Sequence, residues 1–247
     1  MPCARAGSRW IRIRQLWRAA SSAVLDVVFP RKCVQCARHG DWICLDCAAA
    51  VHWMKPPLCE CCGREVGAGN RCQDCARARP RIDGIRACSR FEGAVRHAVH
   101  RLKYNGQRGL AEPLANFLEK TAHGLPGADA IVPVPLHPSR QRQRGYNQSA
   151  LLSRELGRRL GLPVVDAVCR VRQTQDQIGL ARRQRQDNVK GAFACPQPEL
   201  ASARNLLLVD DVCTTGSTMV ACAEPLLRAG AASVWGLVVA RQDYERT

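Results

Sequence analysis

Short apolar runs, each followed by polar residues, recur along the carboxyl-terminal part of the chain. Residues 206–209 are four consecutive apolar positions, and residues 233–240 repeat this character. Runs of this length and composition are typical of strands buried on both faces, as in a parallel sheet. Further strands are predicted near residues 85–91 and at 131–135, where two prolines favour an edge position or loop. The pattern predicts an α/β fold around a mainly parallel sheet.

Apolar residues at helical spacing predict helices between these strands. The predicted helical stretches are residues 91–102, 110–118, 152–160 and 219–228. Asn105-Gly106 and Gly230 follow the first and last of them, as expected where a helix ends. The alternation of strands and helices predicts helices flanking the sheet.

The polar residues after the strand at 206–209 suggest the chemistry of the site. Asp210 and Asp211 stand where that strand is expected to end, and we expect both carboxylates to face solvent and to accept hydrogen bonds from vicinal hydroxyls such as those of a ribose. A loop with many hydroxyls and one glycine follows, and its amides would point from a helix N-terminus toward a phosphate. Its members are Thr214, Thr215, Gly216, Ser217 and Thr218. The sequence therefore predicts a sugar-phosphate site.

The whole stretch from Val209 to Thr218 resembles the phosphoribosyl pyrophosphate (PRPP) loop of type I phosphoribosyltransferases. This resemblance extends the candidate substrate-binding set to Val212 and Cys213. The loop has neither the Gly-Lys-Ser/Thr of a P-loop nor the spaced glycines of a dinucleotide-binding fold. The alternative is an ordinary capped turn between a strand and a helix.

A basic segment lies between the predicted strand at 131–135 and the helix at 152–160. It carries Arg140, Arg142 and Arg144, three guanidinium groups suited to a pyrophosphate. We predict a basic loop at the same edge of the sheet as the hydroxyl-rich loop of residues 214–218, which we call the phosphate loop. A solvated basic face is the alternative.

Four Cys-x-x-Cys pairs occupy the amino-terminal part of the chain. The paired residues are Cys33, Cys36, Cys44, Cys47, Cys59, Cys62, Cys72 and Cys75. Each pair can place two sulfurs on one ion, so we predict two structural tetrahedral zinc sites paired in sequence order, with an interleaved arrangement as the alternative. A redox or iron–sulfur role is a further alternative, and Cys61 is a spare thiol.

The composition narrows the range of partners and compartments. The 247 residues carry a formal net charge of +16. Eight zinc-bound thiolates and two Zn²⁺ would lower this charge by only about 4, so anionic partners are expected. No apolar run reaches transmembrane length and no clean signal peptide is present, so we predict a protein of the reducing cytoplasm.

Two segments have no single interpretation. Residues 10–28 place apolar residues at helical spacing among arginines, which fits a helix packed on the zinc module, an amphipathic membrane anchor or a disordered leader. Residues 169–193 are long, basic and poor in apolar residues. They are interpreted as a lid, as a hairpin that orders on ligand binding, or as plain disorder.

Taken together, the motifs resemble those of the ComF family, also called the competence protein F or GntX family. The similarity covers about residues 26–241. The motifs that carry it, besides the cysteine pairs and the PRPP loop, are Phe29-Pro30, Leu102-Lys103-Tyr104 with Gly106, Pro133-Val134-Pro135, Arg144-Gly145-Tyr146-Asn147-Gln148, Gln177, Arg185 and residues 188–193. Tyr146, which is also a candidate substrate-binding residue, stands where the family often has Phe.

The resemblance implies a type I phosphoribosyltransferase fold that binds Mg²⁺-PRPP. Asp210 and Asp211 would then hold the ribose hydroxyls as the catalytic pair, the phosphate loop would hold the 5-phosphate, and Lys103 would face the pyrophosphate with the arginines. The expected domains are a basic leader (1–25), a double zinc ribbon (26–79) and the phosphoribosyltransferase-like domain (80–247).

Three functions remain open at this point. The chain would transfer a phosphoribosyl group to an unidentified acceptor, handle single-stranded DNA in natural transformation, or bind PRPP as a regulator without turnover. Single-stranded DNA and proteins of the competence or replication machinery are therefore candidate partners.

Overall fold

The computed structural model describes residues 31–172 and 188–242. The predictions for the leader of residues 1–25, for Phe29-Pro30, and for Gln177 and Arg185 lie outside the described residues. No helix in the described ranges is both long and apolar enough to cross a membrane.

Two small ribbons form the amino-terminal part of the described chain. In each ribbon a short antiparallel bridge carries one Cys-x-x-Cys pair and a one-turn helix carries the next. Lys32 pairs with His39 in the first ribbon (residues 32–49), and Leu58 pairs with Glu65 in the second ribbon (residues 58–77). The helices are α1 (Leu45–Ala49) and α2 (Gln73–Arg77), which begin directly after Cys44 and Cys72.

Beyond these ribbons, residues 78–172 and 188–242 contain six strands. They are β1 (Gly84–Arg90), β2 (Ala130–Pro133), β3 (Cys169–Arg170), β4 (Phe193–Ala194), β5 (Asn205–Cys213) and β6 (Ser233–Arg241). Four of them form a parallel sheet in the order β1-β6-β5-β2. The predicted neighbouring position of β6 and β5 is confirmed, and β2 lies at the edge of the sheet, where Pro133 is tolerated.

Helices cover both faces of this sheet. They are α3 (Gly93–Tyr104), α4 (Ala111–Ala122), α5 (Pro138–Arg144), α6 (Gln148–Leu160) and α7 (Ser217–Arg228), with single 3₁₀ turns at Arg108–Leu110 and Pro198–Leu200. Alternate residues of β5 enter two different cores. Leu207 and Val209 pack with α3, α4 and α6, whereas Leu206 and Leu208 pack with α7.

The predicted fold class is confirmed: an amino-terminal pair of cysteine ribbons precedes a mainly parallel sheet with flanking helices. The segment predicted to be a lid or hairpin starts and ends as a short antiparallel pair, with Cys169 opposite Ala194 and Arg170 opposite Phe193. Residues 173–187 between them lie outside the described residues.

Candidate functional site

Strand β5 brings Asp210 and Asp211 to the carboxyl edge of the sheet, but both lie within the strand. The expectation that the strand ends at Val209 is wrong, because β6 continues to pair with β5 as far as Cys213. The two carboxylates meet different neighbours, Lys103 of α3 beside Asp211 and Ser149 of α6 beside Asp210. The expectation that both face solvent is also wrong, since Asp211 is 2% exposed.

Asp211 is held by a lysine from the end of α3. Lys103 Nζ lies 2.7 Å from Asp211 Oδ1, and the lysine side chain is itself 21% exposed. The other carboxylate oxygen, Oδ2, is buried and has no hydrogen-bond partner in the part of the chain that the structure describes. A buried acceptor without a donor costs about 1–3 kcal/mol, so this oxygen is suited to accept a hydrogen bond from a ligand.

Asp210 has polar neighbours of another kind. Ser149 Oγ, from the first turn of α6, donates a hydrogen bond of 2.7 Å to Asp210 Oδ1, and the Asp211 amide donates one of 2.9 Å to the same oxygen. Burial and, after it, the charge of Asp211 raise the pKa of Asp210 to about 7. Asp210 therefore exchanges its proton near neutral pH.

The phosphate loop, residues 214–218, begins after β5 and runs into the first residues of α7. Gly216 has φ of 82°, and a Cβ at this position would stand 3.1 Å from Ile85 Cδ1, so both the conformation and the space favour glycine. The Ser217 amide donates to Thr215 Oγ1 at 3.3 Å. A bound phosphate would have to replace this local contact.

The side chains of Val212 and Cys213 take part in the packing of the protein. Cys213 is buried in the core beneath α7, and Val212 packs against the core on the other face of the sheet. Of the predicted substrate-binding residues, these two can therefore offer a ligand only their backbone groups.

The basic segment is a helix, not the loop that we expected. His137 caps α5 by accepting a hydrogen bond from the Ser139 amide, Pro138 occupies the first turn, and Gly145 ends the helix with φ of 78°. Residues four apart share a face of a helix and residues two apart do not. Arg140 and Arg144 accordingly line one cavity, whereas Arg142 lines another.

A cavity of about 350 Å³ lies beside Arg140 and Arg144. Its lining is Lys103, Tyr104, Gly106, Arg140, Gln143, Arg144 and Tyr146. Lys103 thus borders the cavity and pairs with Asp211 at the same time. The structure brings together the predicted lysine, two of the three arginines and the carboxylates.

Tyr146 forms part of the wall of this cavity. It is 8% exposed and its hydroxyl donates a hydrogen bond to the Leu102 carbonyl, while the Arg108 guanidinium lies 4.6 Å from its ring centroid. The tyrosine therefore fixes the end of α3, next to Lys103.

Of three further residues near the site, Ser149 and Arg241 were not among the sequence-based candidates, whereas Arg170 belongs to the basic segment that was predicted as a lid. Ser149 contacts Asp210, as described above. Arg170 is half-buried on β3, where burial and then the charge of Arg140 lower its pKa. Arg241, at the end of β6, donates to the carbonyl of Thr214 at 3.2 Å. Arg170 is the last residue of the short strand β3, and Arg241 is the last residue of the apolar strand β6. Only the tertiary fold brings the two arginines near β5.

The eight paired cysteines form two clusters, Cys33/Cys36/Cys44/Cys47 and Cys59/Cys62/Cys72/Cys75, in which all sulfurs lie within 4.8 Å of one another. This is the sequential arrangement. Cys36 and Cys44 have their sulfurs 3.6 Å apart, and the sulfurs of Cys62 and Cys72 are 3.7 Å apart. A zinc tetrahedron with Zn–S bonds of 2.3 Å has edges of about 3.8 Å, so both clusters fit structural Zn²⁺. Cys61 is buried outside the cluster.

Sequence comparisons relate this chain to known proteins. The sequence model described as a double zinc ribbon domain matches residues 24–76. Competence protein F of Haemophilus influenzae is 32% identical and covers 85% of this chain and 97% of its own length. DNA utilization protein YhgH of Escherichia coli K12 is 35% identical, covering 79% of this chain and 88% of its own length.

Two solved structures are weakly similar to this chain. Glutamine PRPP amidotransferase of Bacillus subtilis, complexed with ADP and GMP, is 16% identical, with a TM-score of 0.36 over 52% of this chain and 26% of the other. Hypoxanthine phosphoribosyltransferase of Trypanosoma cruzi is 14% identical, with a TM-score of 0.33 over 57% of this chain and 74% of the other.

Proposed function

This chain belongs to the competence protein F family, and from that premise we propose that it binds Mg²⁺-PRPP at the carboxyl edge of its sheet. One observation carries the proposal: the buried carboxylate of Asp211 pairs one oxygen with Lys103 and keeps the other without a partner among the described residues. A ribose hydroxyl would supply the missing donor.

Each part of PRPP would have a counterpart at this edge. The ribose hydroxyls would donate to Asp210 and Asp211, and the 5-phosphate would bind the amides and hydroxyls of residues 214–218. The pyrophosphate would lie in the cavity bordered by Lys103, Arg140 and Arg144. Mg²⁺ would enter with PRPP on its phosphate oxygens, as is usual for this ion.

We further propose transfer of the phosphoribosyl group to an acceptor. The bond between ribose C1 and the pyrophosphate oxygen would break while the acceptor forms a new bond to C1, and the electron pair would leave with the pyrophosphate. Arg140 and Arg144 would stabilise the negative charge that develops on that leaving group. Asp210 and Asp211 would orient the sugar through its hydroxyls.

The domain limits and the compartment are part of the same proposal. We assign residues 26–79 to the zinc ribbons and 80–247 to the phosphoribosyltransferase-like domain, with residues 1–25 as a leader. A reducing cytoplasm suits two sites that each need four thiolates.

Turnover with a panel of acceptors tests the enzymatic proposal. The protein is incubated with PRPP and Mg²⁺ beside nucleobases, amines and oligonucleotides, and pyrophosphate is followed. Release that depends on an acceptor supports transfer. PRPP binding without release under all conditions would identify a regulator and would contradict transfer.

Single-stranded DNA is a second candidate ligand, favoured by an exposed aromatic ring beside the basic cavity. Tyr104 is 61% exposed, and the Arg144 guanidinium lies 5.3 Å from its ring centroid. Exposed aromatic rings with neighbouring cations suit stacked bases and phosphates. Proteins of the competence machinery or of replication would then be partners.

Salt dependence tests this second candidate. Each neutralised phosphate of a single strand contributes a slope of about −0.7 in log affinity against log salt. Replacing Arg140, Arg142 and Arg144 together with Gln should flatten the slope, and Tyr104→Ala should weaken binding at every salt concentration. A parent protein whose slope is near zero would remove this candidate.

A further inference from the structure

Arg241, the last residue of β6, connects the second ribbon to the phosphate loop. Its side chain is among the largest that are fully buried, with 1% exposure. Nη1 donates to the carbonyl of Cys62 at 2.5 Å and approaches the sulfur of Cys213 at 3.7 Å, and Nη2 donates to the carbonyl of Thr214 at 3.2 Å. One guanidinium therefore bridges a cysteine of the second cluster and the first residue of the loop.

The charge of this guanidinium needs compensation, because a buried cation is costly unless it is paired. Four thiolates around one Zn²⁺ carry a formal charge of about −2. All four cysteines of the second cluster are buried, and Arg86 also turns toward this ribbon, donating to the Glu60 carbonyl at 3.0 Å. The zinc-loaded cluster would thus provide the negative charge beside Arg241.

The loop has space on the side that faces the second ribbon. A cavity of about 350 Å³ lies between them, bordered by Cys72 and Asp74 of the ribbon and by Thr215, Ser217 and Val220 of the loop and α7. Packing does not fill this side of the loop, so polar contacts such as that of Arg241 contribute more to holding its conformation.

The first ribbon is attached elsewhere. Trp53, just beyond it, packs edge-on against Phe117 of α4 with 4.8 Å between ring centroids. The Arg90 amide donates to the His52 carbonyl, and the Met54 amide donates to the Cys88 carbonyl. These contacts hold residues 52–54, which follow the first ribbon, against α4 and β1, and Val34 of the ribbon itself packs into the core that includes α4.

We propose that Arg241 is a positioning residue through which zinc in the second cluster holds the phosphate loop in its binding conformation. The proposal rests on the proposed PRPP site. Loss of that zinc would release the Cys62 carbonyl and remove the charge that compensates the guanidinium. Arg241 would then reorient and the Thr214 carbonyl would move with it. Zinc in the first cluster would have no such effect.

Four variants test this coupling. Cys72→Ser disables the second cluster, and Cys44→Ser is the matched change in the first, since both residues precede a one-turn helix. Arg241→Gln removes the charge but leaves both clusters, and Arg241→Lys keeps the charge but cannot span both carbonyl groups. The measurements are zinc content, calorimetric titration with PRPP and Mg²⁺, and hydrogen exchange of the amides of residues 214–218.

We expect two zinc ions in the parent and in both Arg241 variants, and one in each cysteine variant. PRPP affinity should fall by about tenfold or more in Cys72→Ser and in Arg241→Gln, as expected for lost hydrogen bonds from a charged group. It should stay within about twofold of the parent in Cys44→Ser. Arg241→Lys should lie between. Equal losses in the two cysteine variants, or full affinity in Arg241→Gln, would overturn the coupling.

Hydrogen exchange separates this inference from the proposed function, because it needs no PRPP. Exchange of the loop amides should accelerate in Cys72→Ser and Arg241→Gln and not in Cys44→Ser. A parent that does not bind PRPP would remove the proposed function while leaving this readout intact. Unchanged exchange in Arg241→Gln would overturn the coupling even if PRPP binds. Because that variant keeps both zinc ions, it decides the matter if Cys72→Ser fails to fold.

Discussion

Two adjacent aspartates at the carboxyl end of β5 have different surroundings. Asp211 is buried against Lys103 from α3. Asp210 accepts a hydrogen bond from Ser149 of α6 and has a pKa raised to about 7, first by burial and then by its neighbour's charge. The same residue type therefore forms an ion pair at one position and titrates near neutral pH at the other. Contacts from α3 and α6, which the strand alone does not supply, contribute to this difference.

Removing the cation that pairs with Asp211 should have the largest effect on stability. Lys103→Met leaves a carboxylate that is 2% exposed without its partner, and breaking such a pair costs about 3 kcal/mol in the free energy of unfolding. Lys120→Met, at an exposed position near the end of α4 where Nζ lies 5.9 Å from the Trp53 ring centroid, is the matched control and should cost no more than about 1 kcal/mol. Denaturant unfolding measures both.

A double variant sharpens this test. In Lys103→Met/Asp211→Asn no buried charge is left unpaired, so the double variant should be more stable than Lys103→Met alone. If the two changes simply add, Lys103 and Asp211 are not coupled, and the contrast between the two aspartates fails.

Titration of Asp210 should make the stability of the protein depend on pH. The pKa of about 7 in the folded protein lies above about 3.9 in an unfolded chain, so ionisation of Asp210 opposes folding. Its contribution to stability is most favourable below pH 4 and declines as the pH rises to 7. The free energy of unfolding of Asp210→Asn minus that of the parent should therefore grow over this range by on the order of 2 kcal/mol. Asp166→Asn, at an exposed position, is the matched control.

PRPP binding should depend on pH in the opposite direction. A ribose hydroxyl donates more strongly to a carboxylate than to a neutral carboxyl group, so affinity should rise as Asp210 loses its proton. Between pH 6 and 8 the affinity of the parent should increase by several-fold more than that of Asp210→Asn, since the variant corrects for titration of PRPP itself. Parallel profiles would place Asp210 outside the binding site.

The smallest effect is expected at Tyr146, which supports the end of α3. Tyr146→Phe removes the hydrogen bond to the Leu102 carbonyl and should cost about 1 kcal/mol of unfolding free energy. PRPP affinity should change by less than about threefold, because the ring still fills the wall of the cavity. A large loss of affinity with unchanged stability would show that the hydroxyl contacts the ligand directly.

The sequence was sufficient for local features of this protein and insufficient for contacts between distant segments. Apolar runs predicted β5 and β6, and cysteine spacing predicted two clusters. The burial of Asp211 depends on Lys103, which a different helix brings to it. Arg142 and Arg140 line different cavities because the basic segment is helical. The sequence did not predict this helix, because the segment is dense in charged residues. Arg241 followed an apolar strand, and only docking of the second ribbon buries it.

Calorimetric titration of the parent and of Asp210→Asn/Asp211→Asn with PRPP in the presence of Mg²⁺ tests the central claim most directly. Each substitution removes a charged acceptor worth about 1.5–3 kcal/mol, so the double variant should bind on the order of a hundredfold more weakly or worse. A zinc content and a circular dichroism spectrum equal to those of the parent would show that the variant is folded. A parent that shows no binding, or a folded double variant with the affinity of the parent, would contradict the account.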